Sequence, residues 1–133
     1  MIHSADEFVR LRMSEEKEDY DRAAHDSAAE EVWRSVISDY PDMKRWVAHN
    51  KTVPLSVLGF LIDDPDPSVR FAVAQKRKLS AEMFEVLADD PDEGVRHGIA
   101  VNQKTPTEVL RKLCHDDSHL VAEAARRRLR PLE

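Results

Sequence analysis

The sequence predicts an all-α protein: a right-handed α-solenoid of about four two-helix repeats behind an N-terminal helical cap. Three observations predict it. Residues recur at a step of 26, as in Leu61, Leu87 and Leu113, in Pro54, Ser80 and Pro106, and in Val69, Val95 and Val121, a column that Met43 extends backwards. Within each copy the apolar residues follow helical spacing. Only three Gly occur in 133 residues, which argues against hairpin-dense β folds and Gly-rich phosphate loops. The organisation expected is one domain over residues 1–133, with the cap at 1–26 and the repeats at 27–133.

In chain order, Ser4-Ala-Asp-Glu7 reads as a capping box opening a helix through Phe8, Val9, Leu11 and Met13. Residues 14–25 suggest a second, more polar helix. Ser27-Ala-Ala-Glu30 is read as another capping box, opening the first repeat. That first copy has a turn one residue shorter than its successors: Ile37 to Met43 is six steps, whereas Ile62 to Val69 is seven.

Each later copy holds a first helix with one apolar stripe: Val57, Leu58, Leu61 and Ile62, then Met83, Phe84, Leu87 and Ala88, then Val109, Leu110, Leu113 and Cys114. A second helix follows, marked by Val69, Ala72 and Val73. Helices this short cannot bury an apolar face alone, so neighbours must stack. Asp66, Asp92 and Ser118 hold the N-cap position of the second helices, and Pro67 suits a first helical residue. The bases Lys76, Arg77, Lys78 and Lys104 are expected to complement the negative helix ends. At the C-terminus, Arg126, Arg127, Arg128 and Arg130 give the last helix a polar outer face.

Composition bounds the function. Hydrophobic residues make up 41% and charged residues 35%, which suits a folded chain with a thick polar surface rather than a disordered one. The N-terminus lacks the basic start and apolar core of a signal peptide, and no window approaches a membrane span, so a cytoplasmic protein is expected. The single Cys, Cys114, excludes an internal disulfide and any four-cysteine metal site. Net charge is −6 and uneven: residues 1–42 carry 12 acids and 5 bases, and the remainder is nearly balanced. A solvated helical cap explains this surplus, and attraction of a basic partner is the sharper reading.

The units DDPDPSVRFAVAQK and DDPDEGVRHGIAVNQKTP resemble the short helical repeats called leucine-rich repeat variants and, more loosely, HEAT repeats. The resemblance covers about residues 30–130. It implies that Arg70 and Arg96 bridge to turn acids of their own or the adjacent repeat, with Asp64, Asp90 and Asp116 as candidates. Some leucine-rich-variant proteins carry an N-terminal iron–sulfur cluster; this chain has no cysteine there, so no cofactor is carried over.

Candidate binding residues are those that break the structural pattern. Arg45, Phe71, His97 and Glu123 share one outward column of the second helices, and His49, Gln75, Val101 and Arg127 lie one turn further on. In solenoids these helices line the concave surface, so this strip is the expected groove. Phe71 is either an exposed anchor or a ring packed on a neighbouring helix. Trp33 falls in the core column of Leu58, Phe84 and Leu110. Trp46 occupies a column otherwise held by Ala72, Gly98 and Ala124, so it needs room under the cap or at the end of the groove, and burial favours the cap.

No catalytic constellation emerges. The six histidines form no close ligand pair on a helix, the carboxylates sit where caps explain them, and Cys114 falls in an apolar column expected to be inert. The function expected is a non-catalytic protein-interaction module, an adaptor or an immunity-type inhibitor, binding through Arg45, Trp46, His49, Phe71, Gln75, His97 and Val101. The alternative is nucleic-acid binding, as the loose resemblance to HEAT-like alkylpurine DNA glycosylases implies. Lys51, Lys76, Arg77, Lys78, Lys104 and the Arg126–Arg130 cluster would then line one edge, against an overall negative charge that phosphate binders rarely carry.

Overall fold

A computed structural model describes residues 1–130; the last three residues of the expected final repeat lie outside them. The described residues form ten α-helices and one 3-10 turn, with a single isolated bridge between Ile2 and Ala28 in place of any strand. No helix among them is long and apolar enough to cross a membrane. The chain divides into two compact units, one ending at Asp63 and the other beginning at Asp64.

The first unit contains α1 (Ala5–Met13), α2 (Lys17–His25), α3 (Glu30–Asp39), a 3-10 turn (Pro41–Met43), α4 (Lys44–His49) and α5 (Leu55–Leu61). Helix α1 packs on both α2 and α3, and α3 packs on α4 and α5. Phe8, Leu11, Trp33, Val36, Val47, Val57 and Leu61 form the core. The Phe8 and Trp33 rings meet edge to face with centroids 5.2 Å apart.

The two capping boxes differ in outcome. Ser4 Oγ accepts from the Glu7 backbone N–H, while Glu7 Oε1 accepts from His3, one residue before the cap. Ser27, by contrast, caps nothing with its side chain. Helix α3 begins at Glu30 behind Ala29, and the Ser27–Ala28 backbone instead bridges to Ile2, whose N–H donates to the Ser27 carbonyl at 2.8 Å. Glu30 instead accepts from the Ser56 hydroxyl and from Arg34. The shortened first turn is the 3-10 turn at Pro41–Met43, which leads into α4 without a side-chain cap.

The second unit contains α6 (Pro67–Ala74), α7 (Ala81–Ala88), α8 (Glu93–Val101), α9 (Thr107–Leu113) and α10 (His119–Leu129). Its neighbours are α6 with α7 and α8, α7 with α8 and α9, and α8 with α9 and α10. Asp66, Asp92 and Ser118 each cap their helix, accepting from Ser68, Val95 and Val121 respectively. The apolar stripe of each first helix is buried at Phe84, Leu87, Leu110 and Leu113. Cys114 departs from expectation: it ends α9 and is half-buried rather than enclosed.

The basic residues after α6 also sit differently. The helix ends at Ala74, so Lys76, Arg77 and Lys78 fall in the linker beyond it, and Lys104 lies beyond the end of α8. What holds these helix ends is an asparagine. Asn102 Nδ2 donates to the carbonyls of Ala74 at 2.8 Å and Lys76 at 2.7 Å, and its Oδ1 accepts from Lys104. In the first unit Asn50 makes the same set of bonds, to Ala23, Asp26 and Thr52. Buried amides that satisfy orphan helix-end carbonyls remove a desolvation cost of about 1–3 kcal/mol per group.

Candidate functional site

The turn charges are engaged within the fold. Arg70 forks onto both carboxylate oxygens of Asp90, at 2.8 and 3.1 Å, and donates to the Asp64 carbonyl. Arg96 repeats the arrangement on Asp116, at 2.9 and 3.2 Å, and on the Asp90 carbonyl. Each arginine therefore takes a carboxylate of the next turn and a carbonyl of its own. Both pairs are largely enclosed, and the carboxylate hydrogen bond holds each guanidinium above its ordinary pKa. Such forks give geometric definition as well as energy.

In the second unit, Phe71 and Gln75 stand on or at the end of α6, and His97 and Val101 on the adjoining α8. Phe71 meets both readings offered for it. Its ring edge lies 3.2 Å from where a Cβ on Gly98 would stand, so it rests on α8, yet it remains 38% exposed. Gly98 thus favours the approach, since a Cβ there would press on the ring and on Ala74 and force a small shift. Val101 is 50% exposed, Gln75 is exposed and His97 half-buried. The four residues place two exposed apolar side chains, an amide and an imidazole on two packed helices.

In the first unit, Arg45, Trp46 and His49 all lie on α4. Trp46 is half-buried, and its ring lies against α1, whose Arg12 guanidinium sits 3.4 Å from the ring centroid. Arg45 approaches the same ring at 4.9 Å, and His49 meets it edge-on at 5.8 Å. Beside the stack opens a cleft of about 250 Å³, lined by α1, α2 and α4 through Arg12, Tyr20, Asp21, His25, Trp46 and His49. Asp21 is held by Lys17 at 2.7 Å.

The sequence reading missed Arg12 and Tyr20, because nothing in the repeat pattern relates α1 or α2 to α4. It also missed Asn50 and Asn102, although their separation of two repeat steps was a usable signal. A further apolar surface, a recess of about 370 Å³ between α3 and α5, is lined by Arg34, Ile37, Ser38 and the 59%-exposed Phe60. Among the described residues no group of three or more His, Cys, Asp or Glu side chains is placed to hold a metal ion.

The exposed bases of α10 are mostly occupied. Arg127 and Arg130 pair with Glu123, Arg126 donates to the Cys114 carbonyl, and Arg128 to the carbonyls of Asn102 and Gln103. No protein-family profile, no curated protein and no solved structure matches the chain.

Proposed function

We propose that the chain is a non-catalytic protein-interaction module, an α-solenoid of 26-residue helical repeats akin to short HEAT-like repeats. It acts in the cytoplasm as an adaptor or as an inhibitor of the immunity type. The observation that carries this reading is the exposed apolar pair Phe71 and Val101 on α6 and α8. The nearby turn charges Arg70, Arg96, Asp90 and Asp116 are consumed by the framework, whereas Phe71, though it rests on α8, and Val101 keep apolar area open to solvent. An aromatic on a rigid helix pair, rimmed by polar groups, is the composition of an interface hot spot. The acid surplus of residues 1–42 supports a partner that is basic overall, drawn in at long range.

Nucleic-acid binding has less support, because the α10 bases are paired with Glu123 or with backbone carbonyls. The test is affinity capture from the native host by the intact chain and by a Phe71→Ala, Val101→Ala double variant with an unchanged melting curve. A specific protein retained by the first and lost by the second is the expected result. Equal retention by both would remove the α6–α8 face as the site, and retention of nucleic acid alone would remove the protein-binding reading.

A further inference from the structure

The first unit holds a feature that its net charge conceals. Lys17, Arg22 and Arg34 are each paired with a carboxylate of the same unit, at 2.7, 2.9 and 2.9 Å. Arg10 and Arg12 of α1 are not: among the described residues no carboxylate pairs with either, although residues 1–42 hold 12 acids. Of the two, Arg12 has its guanidinium on the Trp46 ring. Stacking uses the flat face of the guanidinium and leaves its in-plane N–H donors directed sideways. A planar fork held in one orientation is preorganised for a bidentate carboxylate, so little side-chain entropy is lost when one binds.

The cleft beside this stack sets the size and charge of what can enter. At about 250 Å³ it falls below the usual range of cofactor sites and suits one side chain with its backbone flank. Tyr20, His25 and His49 add polar edges, and Trp46 offers apolar area. Among the described residues Arg12 is the one guanidinium lining the cleft, and Asp21, which also lines it, is paired with Lys17, a balance that favours a monoanion over a phosphate dianion.

We propose that the α1–α2–α4 cleft receives a carboxylate side chain of the protein partner, gripped by Arg12 with its methylenes against Trp46. This rests on the reading of the chain as a protein-interaction module and adds the chemistry that one of its surfaces recognises. A partner that is basic overall can carry this one acid, because net charge governs approach whereas the fork acts at contact.

The test is a ¹⁵N NMR titration of the intact chain with three capped pentapeptides: Ala-Leu-Glu-Leu-Ala, its Gln counterpart and its phosphoserine counterpart. The Trp46 indole N–H and Arg12 Nε–H signals report the cleft, and the buried Trp33 indole is the internal control. The Glu peptide is expected to give saturable, salt-weakened shifts, with the Gln peptide about tenfold weaker. Arg12→Gln should abolish the response, and Arg12→Lys, which keeps charge without the fork, should weaken it. Equal shifts from the Glu and Gln peptides overturn the proposal, as do shifts from the phosphoserine peptide alone or an unaltered response in Arg12→Gln. Partner capture that depends on Phe71 and Val101 without any peptide response at Trp46 overturns this inference alone and leaves the wider reading standing.

Discussion

Asn102 and Asn50 show how much a single amide can hold. Each donates twice from Nδ2 to backbone carbonyls at a helix end and accepts a backbone N–H through Oδ1, which in Asn50 also accepts from the Thr52 hydroxyl, and both are buried, at 7% and 0% exposure. Each bond contributes about 1 kcal/mol net, and removal leaves carbonyls stranded from water. Asn102→Ala should therefore cost about 3 kcal/mol, read as a lower urea midpoint at unchanged slope. Asn102→Asp should do no better, since it keeps the acceptor but replaces two donors with a buried charge. A loss below about 1 kcal/mol in Asn102→Ala would show that water serves these carbonyls instead. These asparagines were readable from their 52-residue separation, but the column is broken by Lys76 and Arg128, which hid it. Arg128 reaches the Asn102 carbonyl by a different geometry, so one position does related work with unlike side chains.

At the scale of elements, what was legible depended on how local its cause was. Caps at Asp66, Asp92 and Ser118 were readable because a side chain and an N–H two or three residues on decide them. The Ser27 box misled because Ser27 and Ala28 form a backbone bridge with Ile2, 25 positions before Ser27, and the helix starts only after it. This difference is measurable. Asp92→Ala should destabilise by about 1 kcal/mol, as loss of an N-cap does, whereas Ser27→Ala should be near neutral. Thermal melts of the two variants check it, and a Ser27→Ala penalty as large as that of Asp92→Ala would restore the capping role to Ser27. The Arg12–Trp46 stack belongs with the misses for the same reason. It joins residues 34 apart on helices that no repeat relates, so periodicity carries no trace of it.

Across the whole molecule, the acid surplus of the first unit has a consequence for pH. Three of its carboxyls lie below their ordinary range: Asp26 through the Arg22 hydrogen bond, Glu30 through the Ser56 hydroxyl and then Arg34, and Glu7 through the His3 backbone N–H. A carboxyl depressed in the folded state binds fewer protons there than in the unfolded chain. Its stabilisation is then fully present above the ordinary carboxylate range and is lost as pH falls through the folded value. The raised values of Arg70, Arg96 and Lys112 work the other way, present at neutral pH and lost only in strong alkali. Stability should therefore be flat around neutrality and fall on the acid side, with first-unit carboxylates among the causes. Asp26→Asn combined with Glu30→Gln should lower stability at pH 7 and flatten the acid limb, seen by urea melts at stepped pH. Glu30 is exposed and Asp26 and Glu7 are half-buried at the surface, all within reach of screening, so the effect should shrink as salt is raised. An acid limb as steep in the double variant as in the parent would move the cause away from Asp26 and Glu30.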